Sequence, residues 1–242
     1  MTTSYCVSQL LSKCNKLHSS FRRYNTTSSM SFHRIAGIIF DMDGTLTQPH
    51  LLDIHAIKQK YRLTANDDLI EEMKRNDQLN NYVVECEINA YKNCQLNHGY
   101  HELMQYIDSN HIHKAIVTRS TQLGVDAFIE YTNKQFEEIK LDNKYAVKPA
   151  QYSHTLTREF QHNGIYHFKP SAIPLQYILQ QWNITSNQCL MIGDSTDDLQ
   201  AARNCDMKSV LIRHHQNKQL ESQADYVIDT LDQLIEIIKS IK

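Results

Sequence analysis

Five short apolar segments recur along the chain from residue 35 onward, and each is continuously hydrophobic rather than alternating with polar residues. Their β-branched and bulky side chains favour strands, and continuous apolar strands are typical of sheets that are buried on both faces. The strands are predicted at residues 35–40, 114–118, 189–192, 209–212 and 226–228. Helical stretches separate them, so the pattern predicts an α/β fold, in which a Rossmann-like parallel sheet lies between two layers of helices.

One region interrupts this alternation, because residues 50–97 are polar and helix-like with no strand between them. Helices are predicted there at residues 51–61, 67–75 and 78–94. Elsewhere they are predicted at residues 99–109, 122–138, 171–181, 197–203 and 230–241. We interpret residues 50–97 as a helical insertion in the first crossover, which leaves residues 34–49 and 98–242 as the sheet domain.

The first 33 residues differ from the rest of the chain. They contain no Asp or Glu and many Ser and Thr, and their cations are Lys13, Lys16, Arg22 and Arg23. This composition is typical of a transit peptide, and apolar residues at steps of three and four would give the segment an amphipathic helix. We therefore predict mitochondrial import, and a disordered tail on a cytoplasmic protein is the alternative.

Composition and charge exclude several classes of protein. With 25 Lys and Arg against 27 Asp and Glu, the net charge is −2, so no basic field favours nucleic acid. The longest apolar run, residues 35–40, is far shorter than the ~20 residues of a membrane span. The six cysteines form no CxxC pair, which favours reduced thiols in an intracellular protein. We expect a monomer or homodimer whose partner is a small molecule.

Polar residues directly follow three of the predicted strands. Asp41 and Asp43 follow the first strand, Thr118 the second and Asp194 the third. Ligands of open parallel sheets bind beyond the carboxyl ends of the strands, so these residues are expected to meet there. Carboxylates this close repel one another unless a hard cation lies among them, and Mg²⁺ takes oxygen ligands together with phosphate oxygens. The pattern therefore predicts a magnesium and phosphate site.

Four motifs in order resemble the haloacid dehalogenase-like (HAD) hydrolase superfamily, over residues 35 to about 240. The most specific is Phe-Asp-Met-Asp-Gly-Thr-Leu-Thr at residues 40–47, which resembles motif one. Ile-Val-Thr-Arg at 116–119 is similar to motif two, and Phe-Lys-Pro at 168–170 to motif three. Met-Ile-Gly-Asp at 191–194, with Asp198 four residues on, is similar to motif four. The resemblance implies that residues 50–97 form a small helical cap over the HAD-like core.

The resemblance also implies a role for each motif residue. Asp41 would be the nucleophile that becomes an aspartyl phosphate, and Asp43 the general acid and base. Asp41, Asp194 and the main-chain carbonyl of Asp43 would hold Mg²⁺. The remaining implied residues are Asp198, which would orient these ligands, and Thr118, the backbone N–H of Arg119, and Lys169, which would bind phosphate.

Together these roles imply a Mg²⁺-dependent phosphatase, a phosphoric monoester hydrolase acting on a small phosphorylated metabolite. Asp43 occupies the position that decides the reaction within the superfamily, and an Asp there disfavours dehalogenation. A phosphomutase, which needs the same Asp, is the alternative within the family. A non-catalytic phosphate-binding or regulatory protein is the alternative of another class. The sequence names no substrate.

Several assignments remain open at this stage. Asp197 competes with Asp198 as the motif-four acid, although the four-residue step favours Asp198. Lys148 also precedes a proline, but Lys169 has the better spacing to Asp194, so Lys148 is interpreted as a solvated loop residue.

Other residues are given structural interpretations. The tyrosines of the insertion are interpreted as packing groups, and the paired histidines as surface residues: Tyr61, Tyr82, Tyr91, His111, His113, His214 and His215. Asp206 or Asn204 is expected to take the left-handed conformation where the family has glycine.

Overall fold

The computed structural model describes residues 34–49, 51–141 and 151–241. The predicted transit peptide (residues 1–33) and Lys148 lie outside the described residues, so those interpretations stay predictions. No helix in the described ranges is long and apolar enough to cross a membrane.

Within the described ranges, six parallel strands form the central sheet, in the order β3-β2-β1-β6-β7-β8. The strands are β1 Gly37–Phe40, β2 His113–Val117, β3 His154–Leu156, β6 Cys189–Gly193, β7 Lys208–Ile212 and β8 Tyr226–Ile228. The five predicted strands are all present, with ends shifted by no more than two residues. The sixth, β3, was missed because only Leu156 of its three residues is buried, so it shows no apolar run. The α/β sheet fold is confirmed.

Helices cover both faces of the sheet. They are α4 Tyr100–Ser109, α5 Gln122–Leu141, α6 Ile173–Trp182, α7 Thr196–Asn204 and α8 Leu234–Ser240. Ile38 and Phe40 of β1 point into the apolar core shared with α4, α5 and α8, whereas Ile39 points into the core shared with α6 and α7. Successive strand residues therefore face opposite layers, as burial on both faces requires.

Three helices lie between β1 and α4, where the insertion was predicted: α1 Ile54–Lys60, α2 Leu69–Arg75 and α3 Asp77–Tyr91. We call these three the insertion helices. They share a small apolar cluster of Ile57, Met73, Leu79 and Val83. The backbone N–H groups at the N-termini of these helices donate hydrogen bonds to the side chains of Asp53, Asp68 and Asn76, which fixes where each helix begins.

A two-stranded antiparallel hairpin follows β3, formed by β4 Gln161–His162 and β5 Ile165–Tyr166. It was not predicted, because two-residue strands leave no periodicity to detect. At the end of α7, Asp206 takes a left-handed conformation with φ of 51°. The interpretation of an Asp or Asn as the substitute for glycine at that turn is thus confirmed.

Candidate active site

The acids predicted at the strand ends come together. Asp41 follows β1 and Asp194 follows the adjacent parallel strand β6, so both leave the sheet at the same edge. Asp198 reaches the same place from the first turn of α7, where it is fully buried. One carboxylate oxygen from each of these three residues lies within 4.8 Å of the others. Asp197, its competitor in the sequence, instead pairs with Arg119.

Lys169 supplies a positive charge to this cluster. Its side chain is only 3% exposed, and its ammonium group forms ion pairs with Asp41 and, at 2.6 Å, with Asp198. Burial alone would lower the pKa of Lys169, but Asp198 and Asp41 raise it above its usual value. The lysine is therefore charged at every physiological pH, and it offsets only part of the negative charge around it.

The carboxylates of the cluster carry a large electrostatic cost. Burial raises the pKa of Asp41 well above its usual value, against the opposing charge of Lys169. Burial and the neighbouring Asp198 raise the pKa of Asp194 to about 7. Three close carboxylate oxygens with this excess of negative charge match the oxygen donors that a hard divalent cation prefers, so the residues present fit Mg²⁺.

A glycine of the first motif lets these acids approach the loop. Gly44 has a φ of +74°, a conformation that L side chains rarely adopt, and a Cβ built on it would collide with the carboxylate of Asp194. The loop after β1 can therefore turn beside Asp194 only with glycine at this position. Glycine follows Asp43 because the loop after β1 packs closely against Asp194 at the end of β6.

Asp43 lies beside the three-acid cluster and is held differently. Its Oδ2 accepts hydrogen bonds from the hydroxyl of Tyr91 (2.5 Å) and from Oγ of Ser120 (2.8 Å). Its Oδ1 is buried and has no hydrogen-bond partner among the described residues. Burial raises the pKa of Asp43, which favours a carboxyl group that can exchange a proton.

The interpretation of Tyr91 as a packing group was incomplete. Its ring is fully buried in the apolar core, but its hydroxyl reaches Asp43. Burial raises the pKa of Tyr91 well above its usual value, and the negative charge of Asp43 raises it further, so this hydroxyl stays protonated. No local pattern indicates this contact, because the two residues are 48 positions apart.

Besides Lys169, the predicted phosphate-binding residues are Thr118 and Arg119, which lie on the loop after β2. Thr118 is buried, and its Oγ1 accepts a hydrogen bond from the backbone N–H of Ser120 at 3.1 Å. The guanidinium of Arg119 pairs with Asp68 at 3.0 Å and with Asp197 at 2.7 Å. The side chain of Arg119 thus connects α2 of the insertion with α7 of the sheet domain, and only its backbone is left for the predicted phosphate contact.

His214 was wrongly interpreted as a surface residue. Its Nε2 lies 3.1 Å from Oδ2 of Asp194, and burial, with His215 nearby, lowers the pKa of His214. Asn217 supports the same corner by donating hydrogen bonds to the carbonyls of Asp194 and Ile212, each at 2.9 Å. A signal was present, since His214 follows β7 and therefore stands at a fourth strand end.

Two cavities open beside the cluster, and Asp43, Leu52 and Ile54 line both. One has a volume of about 350 Å³ and is bounded by Asp194 and His214. The other, of about 380 Å³, lies between the insertion helices and the sheet domain, and its charged walls are Lys58, Asp67, Asp68, Glu87, Arg119 and Arg158. Both volumes suit a small ligand.

Glu87 and Arg158 form a buried ion pair at the wall of the second cavity. They lie 3.1 Å apart and are 3% and 9% exposed. Glu87 of α3 also accepts hydrogen bonds from the hydroxyl and the backbone N–H of Thr121, which immediately precedes α5. This network anchors the insertion helices to the sheet domain next to Asp43.

Comparison with known proteins agrees with this geometry. The family model for haloacid dehalogenase-like hydrolases matches residues 35–206. An uncharacterized hydrolase of Saccharomyces cerevisiae is 27% identical over 218 residues, which cover 86% of this chain and 92% of the yeast protein. A phosphoglycolate phosphatase of Colwellia psychrerythraea is 41% identical over 49 residues, covering 20% of this chain and 22% of that protein.

Solved structures share the fold. A CbbY variant from Rhodobacter sphaeroides, crystallised with xylulose-(1,5)bisphosphate, superposes with a TM-score of 0.62. The match covers 83% of this chain and 96% of CbbY, at 16% identity. With the family model matching well over half of the sequence, the chain belongs to the haloacid dehalogenase-like hydrolases and is an enzyme of the phosphatase type.

Proposed function

We propose that the protein is a Mg²⁺-dependent phosphatase that hydrolyses a small phosphorylated metabolite through an aspartyl phosphate on Asp41. The observation that carries this proposal is the cluster of Asp41, Asp194 and Asp198 around Lys169, with Asp43 beside it. Its four acids against one lysine suit a site that receives a cation and a phosphate together.

In the first step, a carboxylate oxygen of Asp41 attacks phosphorus. The bond between phosphorus and the leaving oxygen breaks, and Asp43 gives that oxygen its proton. In the second step, water attacks the aspartyl phosphate while Asp43 takes a proton back. The bond between Asp41 and phosphorus then breaks, and inorganic phosphate leaves.

Residues around these two acids complete the site. Lys169 holds Asp41 in place and places positive charge next to the phosphoryl oxygens. Asp41, Asp194 and the carbonyl of Asp43 would hold Mg²⁺, with Asp198 orienting them. When bound, the cation neutralises charge that would otherwise keep a carboxylate away from phosphate. Thr118 and the backbone of Arg119 would bind the phosphate oxygens.

The size of the cavities supports a small leaving group. Neither cavity exceeds about 400 Å³, and both are lined by Asp43, the residue that would protonate the leaving oxygen. The partial similarity to a phosphoglycolate phosphatase, and the fold shared with CbbY bound to a sugar bisphosphate, point to the same size class. These relatives guide which substrates to test first.

The proposal is tested by phosphate release from a panel of phosphorylated metabolites. We expect turnover that needs Mg²⁺, stops with chelator and falls to background in Asp41→Asn. The matched control is Asp126→Asn, which changes an exposed carboxylate on α5 and should leave turnover unchanged. Undiminished phosphate release by Asp41→Asn would contradict the proposal, and interconversion of sugar phosphates with little phosphate release would favour the phosphomutase.

A further inference from the structure

Tyr91 joins two other groups in a closed triangle of short oxygen–oxygen contacts at Asp43, two of which are hydrogen bonds donated to its carboxylate. Its hydroxyl lies 2.5 Å from Oδ2 of Asp43 and 2.8 Å from Oγ of Ser120. Oγ of Ser120 lies 2.8 Å from the same Oδ2. One oxygen of the carboxyl group therefore meets two hydroxyls that come from different parts of the fold, the end of α3 and the loop after β2.

This triangle fixes the rotation of the Asp43 carboxyl group. The terminal torsion of Asp is broad and nearly two-fold, so without such contacts its two oxygens exchange places easily. Two hydroxyls on Oδ2 remove that freedom and leave Oδ1 as the oxygen without a partner among the described residues. Proton transfer to a leaving group depends on such orientation, since small errors in placement are expensive in rate.

A glycine on α5 makes room for the tyrosine. A Cβ built on Gly124 would lie 2.9 Å from Cε2 of Tyr91 and 3.2 Å from Oε2 of Glu87. The ring therefore packs directly against the backbone of α5 near its start. Glu87, one turn before Tyr91 on α3, accepts a 3.0 Å hydrogen bond from the backbone N–H of Thr121 and fixes the spacing of the two helices there.

We propose that Tyr91 is a positioning residue, which together with Ser120 holds Oδ2 of Asp43 so that Oδ1 faces the leaving oxygen. This inference rests on the proposed phosphatase reaction. Because Tyr91 belongs to the insertion helices, the packing of α3 against α5 also sets the orientation of the catalytic acid.

The leaving group of the substrate provides the discriminating test. An alkyl phosphate needs its leaving oxygen protonated, whereas nitrophenolate leaves without that help. In Tyr91→Phe we expect kcat/KM for the best alkyl phosphate of the panel to fall about tenfold or more, and that for p-nitrophenyl phosphate to fall less than about threefold. The matched control is Tyr100→Phe, a buried tyrosine of the same core that bonds Tyr152 and should lower neither value beyond about twofold.

A double-mutant cycle separates positioning from a general loss of structure. If Tyr91 acts through Asp43, then adding Tyr91→Phe to Asp43→Asn should change kcat/KM by less than about twofold. Ser120→Ala should repeat the leaving-group dependence of Tyr91→Phe. Gly124→Ala, which displaces the ring but keeps the hydroxyl, should do so as well.

Clear results would overturn the inference. An equal fall of kcat/KM on both substrates in Tyr91→Phe, or effects that multiply fully in the double mutant, would show a structural role. Wild-type kinetics on the alkyl phosphate in Tyr91→Phe would show no role. These outcomes bear on Tyr91 only if turnover depends on Asp41. If the Asp41→Asn variant keeps its turnover, the proposed function itself is refuted instead.

Discussion

The two sides of the site are built in different ways. On one side, Asp41, Asp194 and Thr118 each follow a buried strand, so neighbouring strands bring them together. On the other, Asp43 is held by Tyr91 and Ser120, and Tyr91 comes from a helix 48 residues further along the chain. The first side depends on local sequence next to strands, and the second depends on how the insertion packs.

The two sides also differ in their electrostatics. The strand-end side concentrates acids, and burial raises the pKa of Asp41 and of Asp194. Lys169 is the cation that pairs there with Asp41 and Asp198. The insertion side pairs its charges, with Glu87 against Arg158 and Asp68 against Arg119. Changes to the charges of the strand-end side should therefore act mainly on the reaction, and changes to the paired charges of the insertion side mainly on stability.

Lys169→Met should have the largest effect. It removes the cation from the acid cluster, and loss of a charge aimed at a developing transition state lowers kcat by about a hundredfold or more. Steady-state kinetics at saturating Mg²⁺ measure it. Lys208→Met, which breaks an exposed pair with Asp225, is the control and should keep wild-type kcat. A Lys169→Met enzyme within tenfold of wild type would remove the proposed division between the two sides.

Arg158→Met should be the most destabilising change on the insertion side. It leaves the carboxylate of Glu87 buried without its cation, and we expect a loss of about 3 kcal/mol in the free energy of unfolding near neutral pH. Urea unfolding measures this loss. Arg75→Met, which breaks an exposed pair with Glu72, is the control and should cost less than about 1 kcal/mol.

The pH dependence of Arg158→Met follows from Glu87. Burial, despite Arg158, already raises the pKa of Glu87 in the folded protein, and removal of Arg158 raises it further. A carboxyl group with a raised folded-state pKa stabilises the fold at low pH and loses that contribution as the pH rises through its folded pKa. The loss in the free energy of unfolding of Arg158→Met relative to wild type should therefore be smaller in mildly acidic buffer than near neutral pH. A deficit that grew there would contradict the ion-pair account.

Arg119→Gln should have the smallest effect. Its two ion pairs, with Asp68 and Asp197, are part-exposed, and such pairs contribute at most about 1 kcal/mol each. The loss in unfolding free energy should decrease in high salt, because screening weakens exposed pairs. A salt-independent loss above about 2 kcal/mol would show that Arg119 joins the two sides far more strongly than its exposure indicates.

The sequence predicted the strand-end side well because its signals are local. An acid directly after a continuous apolar strand can be read without knowing the fold, and the sheet then places it, as with Asp41 and Asp194. A left-handed residue after α7, either Asp206 or Asn204, was predicted for the same reason, since a helix end needs a residue that tolerates that conformation, and the structure shows that it is Asp206. His214 also lies near a strand end, but this rule does not identify it, because it is not an acid and it stands two residues beyond β7.

The insertion side was not predictable in this way. Tyr91 looks like any apolar helix residue until the packing of α3 on α5 turns its hydroxyl toward Asp43. The pairing of Glu87 with Arg158 joins residues 71 positions apart, and no periodicity encodes it. Long-range packing between helices decides these contacts, and single-residue patterns carry no information about it.

Chemical trapping of the enzyme during turnover tests directly whether the phosphoryl group is transferred to Asp41. Borohydride reduces an aspartyl phosphate to homoserine, and peptide mass spectrometry then locates the modified residue. We expect homoserine at position 41 only when substrate and Mg²⁺ are both present. Modification at another residue, or none while phosphate is being released, would contradict it.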